Sequence, residues 1–235
     1  VYVAACAVMG VTAIVLRAAL PASTPGHPIG YRRLLISTAG MLAREPVLRR
    51  RAVYCSSSFA AFSMLWASIA LLLSGKPYNF STGKIGVVGL IGVVGLLASP
   101  VVGWLSDRRA SRLATRTGAL LITAAWLPLW RGGHSFGWLV VGIALIVAGH
   151  QCLMVTSFGE IYRLRPETRS RLNAALMVTY FIAGAAASTA VAGLWPAFGW
   201  DGVCVAGVAC ASVSIALSVT EPRDSTATRA PATWR

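Results

Sequence analysis

The chain has 235 residues, of which 56% are hydrophobic and only 12% are charged, with 21 lysines and arginines against 7 aspartates and glutamates. This composition excludes a water-soluble globular protein. The basic residues lie in short runs between long apolar stretches rather than on a polar face with stacking groups, which excludes nucleic acid as a partner. The sequence therefore predicts an integral membrane protein.

Seven segments of the chain are apolar enough to cross the lipid bilayer as helices, since a span needs about 20 apolar residues. In chain order they are residues 1–20, 51–74, 83–105, 113–130, 136–158, 172–195 and 198–219. Connections rich in glycine, proline and charge separate most of them. Residues 21–50 form the one long connection, whose second part suits a short amphipathic helix in the membrane interface or an ordinary surface helix.

The basic residues are distributed unevenly between alternate connections. One set of connections, together with Arg17 and the tail, holds 18 of the 21 lysines and arginines, whereas the alternate set holds only Lys76, Lys84 and Arg131. Cytoplasmic loops are enriched in lysine and arginine, and a wrong number of spans would have destroyed this alternation. The distribution predicts an N-terminus outside the cytoplasm and a cytoplasmic C-terminus.

Several functions of seven-helix proteins lack the residues that they need. Neither lysine is placed to hold retinal inside a late span, and no serine or cysteine has an activating base at catalytic spacing. The cysteines lie in apolar segments without metal-ligand spacing, so neither a metal nor another cofactor is predicted. A complete seven-helix receptor or sensor without transport activity stays open as an alternative.

The stretch 103–112, GWLSDRRASR, follows the second span after the long connection. It resembles the signature Gly-x-Leu-Ala-Asp-Arg-x-Gly-Arg-Arg of the Major Facilitator Superfamily, which connects the second and third helices of each six-helix half. Ala110 and Ser111 depart from the usual glycine and basic residue. Residues 44–73, 161–188 and 198–207 are similar to the second half of bacterial drug-efflux-like members, so the resemblance covers nearly the whole chain.

The resemblance implies an all-α, polytopic membrane bundle: the second six-helix half of such a transporter plus one preceding transmembrane helix. Residues 1–20 would be the last helix of the first half, 21–50 the central cytoplasmic loop, 51–220 the C-terminal half and 221–235 a cytoplasmic tail. The rest of the first half would precede residue 1 in a longer protein. The implied function is alternating-access transport of a small organic compound, as proton-coupled export across a bacterial inner membrane, without enzymatic activity.

In the family the signature acts as a cytoplasmic latch between conformational states. Here Gly103 would allow a neighbouring helix to approach closely. Asp107 would face the positive N-terminus of a helix, while Arg108 and Arg112 would meet lipid phosphates or carboxylates. The resemblance therefore makes these four residues a candidate gating motif. A ridge of small residues precedes it, formed by Gly86, Gly89, Gly92 and Gly95.

Substrate in this fold would bind near the middle of the membrane, between the two halves. Polar and aromatic residues at that depth are the candidates: Ser57, Ser58, Phe62, Ser63, Trp66, His150, Gln151, Thr179 and Tyr180. The His150-Gln151 pair stands out, because a titratable polar couple inside a span is costly unless it is paired or used. No acidic residue lies in the middle of a span. The resemblance therefore favours a coupling carboxylate in the missing first half over His150 as the proton carrier.

Overall fold

The computed structural model describes residues 2–19, 40–96, 111–164 and 169–220. The chain in these ranges is helical and contains no strand, which confirms the all-α class. The helices are α1 (Tyr2–Ala19), α2 (Pro46–Ser74), α3 (Thr82–Leu96), α4 (Ser111–Ala124), α5 (Trp126–Arg131), α6 (Phe136–Leu164) and α7 (Arg169–Val219). They belong to two compact units, Val1–Ile36 with α1 and Ser37–Arg235 with the other helices.

Three of the described helices are long and apolar enough to cross a membrane: Pro46–Ser74, Phe136–Arg163 and Arg169–Val219. The last has 51 residues, which is enough for two crossings. In the first unit, α1 is an 18-residue apolar helix whose described side chains are exposed. The chain is therefore an integral membrane protein built from helices.

Two of the predicted spans are parts of longer helices. The span predicted at 51–74 begins at Pro46, and the span predicted at 136–158 continues to Leu164. Proline suits the first turn of a helix, where its missing N–H costs no hydrogen bond. The extra turns carry arginine and glutamate, so they extend past the apolar layer that a hydropathy window detects.

The span predicted at 113–130 is divided into α4 and α5 by a turn at Ala125. Pro128 lies three residues further on, in the first turn of the short α5, where it needs no N–H donor. Trp126 and Leu129 are buried, so both helices remain part of one packed element. For α3, residues 97–105 of the predicted span lie outside the described residues.

The two final predicted spans form the single helical element α7, bent at Gly199. This glycine has φ 59° and ψ −147°, a combination that only glycine adopts without strain. The predicted break lies at residues 196–197, but Pro196 is still helical. The chain therefore reverses at the glycine, and the segments before and after Gly199 pack as separate helices against α2.

Close contacts at glycines join α6 to α4 and α7 to α5. Gly149 of α6 lies against the backbone of α4, where an added Cβ would come within 2.6 Å of the Ile122 nitrogen. Gly207 of α7 faces the indole of Trp126 in the same way. Backbones that approach this closely gain dispersion contacts over a long stretch, which is how small residues stabilise helix pairs in membranes.

Aromatic residues join three connections at one end of the bundle. The Tyr78 hydroxyl donates a hydrogen bond to the Gly132 carbonyl, and the Trp200 indole donates one of 2.9 Å to the Leu129 carbonyl. Burial raises the pKa of the Tyr78 phenol, so its hydroxyl stays protonated and donating at neutral pH. The connections at this end are those with the fewest basic residues.

Arginines join the helices at the opposite end. Buried Arg51 donates a 3.0 Å hydrogen bond to the Thr115 hydroxyl of α4, and its guanidinium lies 5.5 Å from the centre of the Tyr54 ring. Arg50 donates to the Leu217 carbonyl at 3.1 Å and to the Thr220 hydroxyl at 3.0 Å. These contacts bring together the start of α2, the start of α4 and the end of α7. Because the chain runs along the bundle an even number of times between these points, all three lie at the same end.

The Arg50 contact predicts a measurable loss of stability on substitution. Arg50→Gln removes the cation that neutralises the negative end of the α7 helix dipole, and we expect a loss of about 1 kcal/mol. Thermal unfolding of the detergent-solubilised protein measures this change. Arg116→Gln, at an exposed position of α4, is the control; equal effects of the two substitutions would contradict the capping role.

Candidate functional site

Three helices bring polar side chains together inside the bundle. His150 of α6 is 5% exposed and lies between Ser58 of α2 and Tyr180 of α7. Its Nδ1 is 3.1 Å from the Ser58 hydroxyl oxygen, and its Nε2 is 3.2 Å from the Tyr180 hydroxyl oxygen. The three predicted candidates therefore form one network, which we call the His150 network.

One arrangement of the hydrogens satisfies all of these groups. The Ser58 hydroxyl donates to the Cys55 carbonyl at 3.0 Å, and a hydroxyl has one hydrogen to donate. In this arrangement Ser58 accepts from Nδ1–H of His150, and Nε2 accepts the hydrogen of Tyr180. If His150 gained a second proton, Nε2 would become a donor and the Tyr180 hydroxyl would have to turn. The protonation of His150 is thus linked to contacts of α2 and α7.

An aromatic face adjoins this network. Phe62 stacks on the His150 ring with 4.8 Å between centroids, and Phe59 stacks on Tyr180 at 3.7 Å. Trp66 continues the same face, 6.0 Å from Phe62. Phe59, Phe62 and Trp66 are only half-buried within the described residues. The arrangement presents aromatic rings beside a polar network, which suits a ligand with aromatic or apolar groups.

Gly184 of α7 makes the contact between Phe59 and α7 possible. An added Cβ at this position would lie 2.4 Å from the Phe59 ring and 2.9 Å from the Ser63 hydroxyl oxygen. Real Cβ atoms do not approach other atoms so closely, because packed atoms repel steeply below their contact distance. The glycine therefore determines where the aromatic face meets α7.

Ser57 and Thr179 line a separate cavity between α2 and α7. Its volume is about 300 Å³, and it also contacts Arg49 and Val53. The Ser57 hydroxyl is 2.7 Å from that of Ser214, while the Thr179 hydroxyl donates to the Leu176 carbonyl at 2.9 Å. These two predicted substrate residues thus lie together, outside the His150 network, and their hydroxyls are engaged within the bundle.

The remaining predicted residues are placed as follows. Gln151 is half-buried next to His150, and Ser63 is half-buried near Gly184. In the candidate gating motif, Arg112 is half-buried on α4, whereas Gly103, Asp107 and Arg108 lie outside the described residues. In the described ranges, no group of at least three histidine, cysteine or acidic side chains is placed to hold a metal ion.

Phe59 was not among the predicted residues, yet it contacts the largest number of aromatic partners in this region. A signal was present, because Phe59, Phe62 and Trp66 recur at the spacing of one helix face. Ser214 was also missed. A serine within an apolar helix gives no indication of whether its hydroxyl bonds its own backbone or a neighbouring helix.

Comparison with known proteins agrees with this architecture. The Major Facilitator Superfamily matches residues 1–188. "Uncharacterized transporter YgaY" of Escherichia coli O157:H7 is 39% identical over 215 residues, which are 92% of this chain and 55% of that protein. "Probable transporter SCO4007" of Streptomyces coelicolor is 31% identical over 179 residues, 72% of this chain and 40% of that protein.

The chain thus spans about half the length of the curated relatives that it matches. The family match extends from α1 through most of the first segment of α7, so it includes the helices that carry the His150 network. The described fold, a helical bundle with several membrane-crossing helices, is the kind of structure that this match requires. The chain belongs to the Major Facilitator Superfamily.

Proposed function

We propose that this chain forms the second half of an alternating-access transporter that exports a small organic compound in exchange for protons. The observation that carries the proposal is the His150 network with its aromatic face, where α2, α6 and α7 converge. Transporters of this type bind substrate near the middle of the membrane, between two halves. The alternative of a complete seven-helix receptor is not favoured by the family match.

The substrate in this proposal is a lipophilic compound with an aromatic or cationic group. Phe62 and Trp66 offer ring faces, which attract apolar groups and organic cations. His150, Tyr180 and Ser58 are buried and bonded to one another, so they hold the aromatic rings in position for such a compound. The first half of the protein would supply the wall of the substrate site that faces Phe62 and Trp66.

The proposed proton carrier is a carboxylate in the first half. Among the described acidic residues, Glu45 precedes α2, Glu160 lies near the end of α6, and Asp201 follows the kink of α7, so none lies in the middle of a span. His150 then serves to hold Phe62 and Tyr180 in position.

A transport assay separates these roles. In proteoliposomes that contain the full-length protein, we expect an imposed pH gradient to drive uptake of ethidium, a lipophilic aromatic cation. His150→Gln keeps one hydrogen-bond donor and one acceptor in the side chain, so we expect weaker ethidium binding but continued stimulation by the gradient. Loss of stimulation with unchanged ethidium binding would place proton coupling at His150 and contradict this assignment.

We further propose that the protein lies in a bacterial inner membrane with its N-terminus outside and its C-terminus in the cytoplasm. The support is the basic end of the bundle, where Arg50, Arg51 and Arg116 lie, because basic loops stay in the cytoplasm. In this orientation Gly103, Asp107, Arg108 and Arg112 would form the cytoplasmic latch.

The orientation predicts the labelling of single cysteines in intact cells. Cysteine in place of Asn79, between α2 and α3, is expected to react with a membrane-impermeant maleimide added outside. Cysteine in place of Thr220, after α7, is expected to react only after the membrane is opened. The native cysteines are replaced first, because Cys6 and Cys210 are not buried. The reverse pattern would contradict the orientation.

A further inference from the structure

The cavity between α2 and α7 extends over the depth of one membrane leaflet. Its lining on α2 runs from Arg49 to Ala60, a distance of about 16 Å along a helix that rises about 1.5 Å per residue. The hydrocarbon core of a bilayer is about 30 Å thick, so each leaflet contributes about 15 Å. The cavity therefore reaches from the basic end of the bundle to the middle of the membrane.

The walls of this cavity suit an alkyl chain. Most lining residues are small and apolar: Leu42, Ala52, Val53, Ala60, Ala183 and Val213. The hydroxyls of Ser57 and Thr179 bond to Ser214 and to the Leu176 carbonyl, so they are already satisfied. The Ser56 hydroxyl has no partner among the described residues, but its oxygen is fully buried and does not reach a ligand in the cavity. A polar ligand would therefore lose its hydration here without gaining partners, whereas an alkyl chain pays no such cost.

The mouth of the cavity is positively charged. Arg49 lines the cavity and is exposed, Arg44 is exposed nearby in the sequence, and Arg50 caps the end of α7. Among the described acidic residues, Glu45 and Glu160 lie at this end, and Glu45 is already engaged in an interaction. Arginine pairs well with phosphate because its planar guanidinium offers several donors. An apolar cavity with an arginine at the level of the lipid headgroups is complementary to an anionic amphiphile.

We propose that this cavity binds one acyl chain of an anionic phospholipid, with the lipid phosphate paired to Arg49. The site is distinct from the His150 network and goes beyond the proposed transport function, since the lipid is a resident of the membrane rather than the exported compound. Basic pockets between helices on the cytoplasmic side hold anionic headgroups in this way. The bound chain would fill the gap between α2 and the two segments of α7.

Photocrosslinking tests the site directly. The full-length protein is reconstituted with phosphatidylglycerol that carries a diazirine on one acyl chain, irradiated, and digested for mass spectrometry. We expect adducts on the α2 residues Val53 to Ala60 and on α7 near Ala183 and Val213. Unlabelled phosphatidylglycerol should compete with the probe, and phosphatidylcholine should not.

Two variants and one control make the test specific. Arg49→Gln is expected to reduce the adducts by about fivefold. The substitution removes the attraction between the lipid phosphate and one basic residue, about 1 kcal/mol, which corresponds to that change in affinity. Ala183→Phe, which fills the cavity, should remove them. Arg116→Gln, which removes an exposed arginine of α4 outside the cavity, should leave them unchanged. Circular dichroism of each variant checks that it remains folded.

Three results would overturn the proposal. Adducts spread evenly over the exposed faces of α7 would show ordinary bilayer contact. No adduct in the cavity would show that another part of the full-length protein covers it. Displacement of the probe by ethidium but not by phosphatidylglycerol would make the cavity part of the transport pathway.

Discussion

Replacing Gly149 with valine is expected to force α4 and α6 apart and to lower the free energy of unfolding by about 3 kcal/mol. An added Cβ would lie 2.6 Å from the Ile122 nitrogen and 3.0 Å from the Gly118 carbonyl oxygen. Both atoms belong to the backbone, so no side-chain rotation can relieve the overlap. The displaced α6 would also carry His150 away from Ser58, because the histidine is the next residue.

Chemical denaturation of the solubilised protein, followed by circular dichroism, measures this loss. Gly159→Val is the matched control, since it lies on the same helix and no described atom comes within 4 Å of its added Cβ. Comparison with this control separates the effect of the close approach from the general cost of replacing a helical glycine with a β-branched residue. If the two substitutions destabilise the protein equally, the close approach of α4 and α6 is not important for stability.

Replacing His150 with alanine is expected to lower the free energy of unfolding by about 2–4 kcal/mol. The substitution leaves a gap beside Phe62 and removes the acceptor of the Tyr180 hydroxyl, which lies in a buried position. Both losses destabilise the contact between α2, α6 and α7. His150→Gln should recover part of the stability, because its amide can replace one donor and one acceptor.

A double-mutant cycle with Tyr180→Phe isolates the hydrogen bond between the two residues. Tyr180→Phe removes only the hydroxyl, so in the His150→Ala background it should have an effect smaller by about 1 kcal/mol than in the native protein. Denaturation of the four proteins measures this difference. Additive effects would contradict the hydrogen bond of 3.2 Å between Nε2 and the hydroxyl.

Hydropathy was sufficient to predict the helical class and several of the polar residues that meet inside the bundle. Ser58, His150 and Tyr180 were all predicted as candidates, since polar groups inside a span need partners. Their depth along each helix follows from the length of the spans. Which neighbours they contact depends on the rotation of each helix, and composition carries no information about that rotation.

The glycines also show that composition does not determine which helices contact each other. A ridge that includes Gly86 and Gly89 of α3 permits a close helix contact, but within the described residues no atom comes within 4 Å of an added Cβ at either position. The tightest contacts instead involve Gly149, Gly184 and Gly207, which lack that regular spacing. A small residue permits close approach, but the facing surface decides whether a helix occupies the space. The kink at Gly199 was also misplaced, because Pro196 gave a stronger local signal.

The most direct test of the transporter account is the accessibility of Trp66 on the aromatic face. Trp66→Cys is introduced into the full-length protein without native cysteines, and its reaction with a membrane-impermeant maleimide is measured from each side of sealed vesicles. Alternating access predicts that the thiol reacts from either side and that an imposed pH gradient shifts the ratio of the two rates. A thiol that stays unreactive from both sides, with or without the gradient, would show that no aqueous pathway reaches this face and would contradict the account.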